Sequence, residues 1–139
     1  MKLKVIGAIC LLLGVLLYSC QSDDEITFRR YYTTGNIVYQ NRCQNCHGKD
    51  GQGLSALMPP LTDSVFLKTN KANLSCYIKY GLKGKLLIVD KKPFDNDMPA
   101  MDLAPIEIAE VLTYVTNSFG NKMGVVTVQQ VSDDLAKCK

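Results

Sequence analysis

The sequence predicts an all-α domain, and three observations carry that prediction. Gly35, Tyr39 and Cys43 stand at steps of four in and just after Tyr31 to Arg42, a run without the alternation of a strand. Between Glu107 and Ser118, Ile108, Val111, Leu112 and Val115 recur at helical spacing, with Tyr114 adding an aromatic. Across residues 72–82, Leu74, Ile78 and Leu82 repeat at four-residue steps, with Gly81 and Gly84 placed to end the helix.

In chain order, residues 1–19 open with Lys2 and Lys4, run through the apolar stretch Val5 to Leu17 and close on Tyr18-Ser19 ahead of Cys20, the layout of a secretory signal. A small residue before cysteine after such a core resembles the lipobox of bacterial lipoproteins. That resemblance implies cleavage before Cys20, lipidation of Cys20 and a chain tethered to a membrane facing the periplasm. An uncleaved anchor is the competing reading, but Val5 to Leu17 falls short of the ~20 residues a spanning helix needs. Residues 20–30, with Asp23, Asp24 and Glu25 consecutive, offer little to bury and are expected to form an acidic membrane tether. Fully extended, that segment reaches about 30 to 35 Å. The acidic tract also resembles signals for display on the cell surface, although a solvated linker explains it more plainly.

Residues 31–139 remain for one domain with one modest core. Loss of residues 1–19 lowers the formal charge from +3 to +1, which excludes the basic footprint of a nucleic-acid binder.

The most specific chemistry lies at Cys43-Gln44-Asn45-Cys46-His47, two cysteines three apart followed directly by the chain's single histidine. This is the spacing that attaches a c-type haem. Each thiol can add to one vinyl group on the haem edge, and the imidazole that follows can serve as proximal iron ligand. A structural zinc site needs a fourth ligand, normally from a second pair, and only Cys76 and Cys138 remain, far apart in sequence. A thioredoxin-like dithiol follows a strand and opens a helix, whereas the run before Cys43 is not strand-like. Cys76 and Cys138 are left to pair with each other or stay free in an exported chain.

From about residue 30 onward the chain resembles class I monohaem cytochromes c. The family places a glycine eight positions and an aromatic four positions ahead of the first haem cysteine, as Gly35 and Tyr39 stand here. It crosses its amino- and carboxy-terminal helices at that glycine. The resemblance implies a cytochrome c fold of three main helices plus a short C-terminal helix around one covalently bound haem c. After His47, the glycines of Gly48-Lys49-Asp50-Gly51-Gln52-Gly53 read as a loop. Pro59, twelve residues on, resembles the family's proline whose carbonyl accepts the proton of the free imidazole nitrogen, with Leu61 packing on the porphyrin. Met98-Pro99-Ala100 resembles the distal-ligand segment, with Met101 as its competitor. Met58 sits on the expected proximal loop and Met123 beyond the last core helix. Leu86 to Val89 is expected as a short strand or extended loop. Pro105 suits a first helical turn despite the poor cap at Ala104. Thr127 and Gln130 form a capping box for a last helix through Lys137.

The implied function is a one-electron carrier without catalysis of its own or a small-molecule substrate. It would accept from a quinol-oxidising complex or dehydrogenase and donate to a terminal oxidase or reductase. The alternative is a haem-based gas sensor in which Met98 is displaceable. Lys79, Lys83, Lys85, Lys91 and Lys92 flank the distal loop and either steer docking to an acidic partner or form a solvated face among Asp90, Asp95 and Asp97.

Overall fold

The computed structural model describes residues 5–7, 9–11, 14 and 23–138. Cys20 and much of the expected signal lie outside these residues. Among the described residues no helix is long and apolar enough to cross a membrane.

The first element with described bounds is a helix, α1 (Asp23–Arg42), whose four-residue stripe of Tyr31, Gly35 and Tyr39 is buried. It crosses α5 (Pro105–Val115), which buries Ile108, Ala109, Val111, Leu112 and Val115, and this pair forms the centre of a core that Leu67, Leu74, Leu103, Val126 and Val131 complete. The crossing is close because Gly35 has no side chain: a Cβ there would collide with the Glu110 carbonyl and meet Tyr114 Cβ at 3.0 Å. Gly35→Ala is therefore expected to cost about 3 kcal/mol, since a helix carbonyl and a Cβ fixed to helix backbone cannot turn aside. Denaturant unfolding of the two proteins measures it.

Residues 23–30 are helical, contrary to the expectation of an extended tether. Asp23, Asp24 and Glu25 occupy the first turn of α1, where carboxylates offset the partial positive charge of unpaired backbone N–H groups. Arg29 Nε also contacts Glu25 Oε1 at 2.9 Å, one turn apart. Eight helical residues rise only about 12 Å, so this part of the segment reaches less far than an extended strand would.

After α1 come a one-turn helix, α2 (Gln44–His47), and the glycine-rich loop. Then follows α3 (Ser64–Thr69), which sequence periodicity did not single out. The expected helix over 72–82 is shorter than its pattern: a 3₁₀ turn (Lys71–Asn73) leads into α4 (Leu74–Tyr80), which stops where Gly81 adopts φ +72°. Leu82 instead pairs with Met98 in an isolated bridge. Within Leu86 to Val89, the last three residues prove to be strand. β1 (Leu87–Val89) pairs antiparallel with β2 (Lys92–Phe94), Leu87 opposite Phe94 and Val89 opposite Lys92. The domain is mostly helical, as expected, with one small hairpin, and α3 stands outside the expected set of three main helices plus one.

The start of α5 solves the missing cap at Ala104 in half of a capping box. Alanine offers no acceptor, but Glu107 Oε2 accepts from the Ala104 backbone N–H at 2.8 Å. The helix ends at Val115 rather than Ser118, with Thr116 Oγ1 folded back on the Leu112 carbonyl at 2.7 Å. Thr127 Oγ1 accepts from Gln130 N–H at 3.1 Å and opens α6 (Val128–Leu135). Cys76 on α4 and Cys138 just beyond α6 are joined in a disulfide, with α-carbons 5.7 Å apart.

Asp63 fastens α3 to the hairpin. Its Oδ1 accepts from Val65 and Phe66 N–H at 2.9 and 3.1 Å, and its Oδ2 from Asp90 N–H at 2.8 Å. These bonds, that from Asp90 first, hold its carboxyl below the usual carboxylate range. A carboxylate with a lowered pKa stabilises the fold above its unfolded value, and that contribution disappears as pH falls through the folded value. Asp63→Ala should lose about 1 kcal/mol at pH 7, the usual worth of such a cap. Asp63→Asn should flatten the loss of stability in acid below about pH 4, read by denaturant titrations across pH.

Candidate functional site

Beside the α1–α5 core lies an apolar crevice, part of it open to solvent. Val111, Leu112 and Val115 of α5 line it, α4 contributes Leu74, Tyr77 and Ile78, and the hairpin contributes Leu87 and Phe94.

One wall is the pentapeptide. Cys43 N–H still donates to Tyr39 O at 2.9 Å, while Cys46 and His47 N–H both reach Cys43 O, at 3.1 and 3.0 Å. Residues i, i+3 and i+4 of a helical turn share one face, and Cys43, Cys46 and His47 accordingly all line the crevice. Gly48, at φ +80°, ends the turn. Its carbonyl accepts from the buried Tyr39 hydroxyl at 2.6 Å, so Tyr39 both fills the core and fixes the chain behind His47. Neither Cys43 nor Cys46 is in a disulfide. Burial, then the neighbouring Cys46, pushes the Cys43 thiol up to about 11, so as a free thiol it stays neutral at pH 7.

His47 Nδ1 lies 3.0 Å from the Pro59 carbonyl. A carbonyl only accepts, so the neutral ring must carry its proton on Nδ1 and keep the Nε2 lone pair free. Burial lowers the His47 pKa, outweighing the Pro59 bond that acts against it. The ring is therefore neutral at pH 7, the form a metal requires. Pro59 itself is held by the loop: Gly53 N–H donates to His47 O at 2.8 Å, Leu54 N–H to Met58 O at 3.0 Å, and Leu61 N–H to Gly51 O at 2.8 Å.

Pro59, Leu61 and Met98 line the same crevice, so the structure gathers six of the seven sequence-selected residues around one space; Cys20 lies outside the described residues. Met58 and Met101 line it as well. The bridge to Leu82 secures Met98 through two backbone bonds of 2.8 and 2.9 Å, and Met101 N–H donates to Ile78 O at 2.9 Å.

Two asparagines that sequence reasoning passed over hold the frame. Asn121 Nδ2 donates to Leu61 O at 2.9 Å and Val115 O at 3.1 Å, while its Oδ1 accepts from Ser64 Oγ at 2.6 Å. Asn117 Oδ1 accepts from Met123 and Gly124 N–H at 3.0 and 2.8 Å, shaping the turn toward α6. An asparagine in a loop carries no signal of such bonds, so nothing in the sequence marks either.

These residues fit a haem. The space is apolar, its one histidine is neutral with a single nitrogen free, and two unpaired thiols stand beside it on the same helical face. Zinc fits poorly, because Cys76 and Cys138 are bonded to each other and cannot complete a tetrahedral set.

Comparison with known proteins agrees. Residues 31–115 match the family model described as "Cytochrome C oxidase, cbb3-type, subunit III". The chain is 32% identical over 102 residues to the protein named alcohol dehydrogenase (quinone), cytochrome c subunit, of Gluconacetobacter polyoxogenes, covering 70% of this chain and 21% of that one. It is 30% identical over 110 residues to the cbb3-type cytochrome c oxidase subunit CcoP of Rhodobacter capsulatus, covering 78% of this chain and 35% of that one. The chain thus spans between a fifth and about a third of the length of these relatives.

Proposed function

Because the chain belongs to the family of cbb3-type cytochrome c oxidase subunit III, and so carries a c-type cytochrome electron-transfer domain, we propose that it is a one-electron relay built on one covalently attached haem c. Cys43 and Cys46 would provide the thioether attachment, and His47 and Met98 would hold the iron through a ring nitrogen and a thioether sulfur. When bound, the group supplies a reversible one-electron iron couple. Every other part of the work falls to the chain. Pro59 keeps the His47 proton on Nδ1 and fixes the ring plane, which strengthens the other nitrogen as a donor. Leu61 and the apolar faces of α4 and α5 exclude water. Pro99 restricts Met98 to an extended backbone, so the thioether is presented from a stiff segment.

The observation that carries this reading is the helical turn of Cys43, Cys46 and His47 facing an apolar crevice that Met98 also lines. With His47 and Met98 both committed to holding the group, no position would be left for a substrate, and the domain would have no catalysis of its own. The donor would be a dehydrogenase or quinol-oxidising complex and the acceptor a terminal oxidase or reductase. Cys20 would carry the lipid that holds the exported chain at the membrane. Lys83, Lys85, Lys91 and Lys92 are exposed. Lys79 is engaged, donating to Leu103 O at 3.1 Å.

The test is spectroscopic, on full-length protein made in cells with haem-ligation machinery. A reversible one-electron titration, the far-red band that marks methionine sulfur on ferric iron and slow carbon monoxide binding to the reduced protein are expected. No far-red band together with rapid carbon monoxide binding would replace the relay with a gas-binding module.

A further inference from the structure

The two walls that present the proposed axial ligands are built alike. On one, Gly53-Leu54 runs against Met58-Pro59, with Leu54 bridged to Met58; on the other, Gly81-Leu82 runs against Met98-Pro99, with Leu82 bridged to Met98. Both glycines take left-handed backbone, φ +71° and +72°. Both also touch the ligand segment they face. A Cβ on Gly53 would collide with the Met58 carbonyl and lie 2.9 Å from Pro59 C and from Pro60 N. A Cβ on Gly81 would collide with the Met98 carbonyl and lie 2.7 Å from Ala100 N and 3.0 Å from Pro99 C. All of these atoms are backbone, so none can rotate away.

We propose that Gly53 and Gly81 are positioning residues, one behind each axial ligand: Gly53 sets the Pro59 carbonyl that orients His47, and Gly81 sets the backbone from which Met98 reaches the iron. This rests on the assignment of His47 and Met98 as the ligands. Each glycine allows a two-residue backbone ladder to close flush against a Met-Pro step, whose proline has already restricted the residue before it. Adding one carbon at either place pushes one ligand segment toward the crevice and leaves the other untouched.

Gly84 provides the control. It has φ +58°, but a Cβ added there would meet nothing within 4 Å, so Gly84→Ala carries backbone strain without the collision. In the holoprotein, Gly81→Ala is expected to lose the far-red methionine band and to bind carbon monoxide, when reduced, about tenfold faster than wild type. Its His47 Nδ1 proton, followed by nuclear magnetic resonance, should exchange at the wild-type rate. Gly53→Ala should do the reverse, keeping the band while the Nδ1 proton exchanges about tenfold faster. Gly84→Ala should leave both signatures alone.

The proposal is overturned if Gly81→Ala retains the band, if both signatures move together in each variant, or if Gly84→Ala does the same as Gly81→Ala. A wild type without the band would instead remove Met98 as ligand, a separate failure visible before any variant is made. Should Gly81→Ala yield no holoprotein, amide exchange on the wild type decides. Leu82 and Met98 N–H, which bond to each other's carbonyls, should then be slow and exchange at a common rate, and fast independent exchange would show that no wall exists there.

Discussion

Replacing Cys43 and Cys46 together by alanine is expected to abolish covalent haem completely, read as loss of the haem-positive band on a denaturing gel. Each single replacement should leave a weaker band. Geometry supports this as well as spacing. Both sulfurs stand one helical turn apart on the face that lines the crevice, while the only other described cysteines outside the amino-terminal segment are locked to each other. Among the described residues from Asp23 onward, no substitute thiol is at hand. The loss should also reach the fold, because a crevice lined by leucine, isoleucine, phenylalanine and valine side chains would face water without its occupant. Less chain than wild type should accumulate. An undiminished band would mean that the group is held elsewhere.

The second large effect concerns the disulfide. Cys76 and Cys138 close a loop with a sequence separation of 62, and in the chain-entropy picture a loop of that size restricts the unfolded ensemble by about 4 kcal/mol. Cys76→Ser with Cys138→Ser should therefore lower the thermal midpoint by about 15 °C, taking the usual conversion for a domain of this size. Wild type melted in a dithiol reductant should shift by a similar amount, and the double variant should ignore the reductant. The bond ties the end of α6 to α4, and α4 lines the crevice through Leu74, Tyr77 and Ile78. Its loss should be felt there first.

What the sequence disclosed and what it hid follow from range. The turn that brings Cys43, Cys46 and His47 to one crevice was legible as a unit because the chemistry it suggests needs particular atoms at fixed spacing within five residues. The α1–α5 crossing was legible because Gly35 and Tyr39 on one side, and Ile108, Val111 and Leu112 on the other, repeat at the helical period. α3 escaped notice: it is six residues long, too short for periodicity, and only the Asp63 cap betrays it. The hairpin was half hidden because its two turn residues, Asp90 at φ +48° and Lys91 at φ +61°, lack the Asn-Gly or Asp-Gly signature of such a turn. The tertiary bond from Asp90 N–H to Asp63 holds that turn, and no local rule could supply it. The acidic run at Asp23 to Glu25 misled for a related reason. Acids that would solvate a linker also favour a helix start, and what decides between them is whether Tyr31, Gly35 and Tyr39 find a partner across the core. The disulfide was beyond reach, since α-carbon distance between residues 62 apart is set by the whole fold.

The most direct measurement is the intact mass of the chain purified from cells with working haem-ligation machinery, with a count of its reactive thiols. The expected result is a polypeptide heavier by one haem, with Cys43 and Cys46 both consumed and the haem retained through acid-acetone extraction. A polypeptide of unmodified mass, with both thiols still reactive, would contradict covalent attachment and the relay built on it.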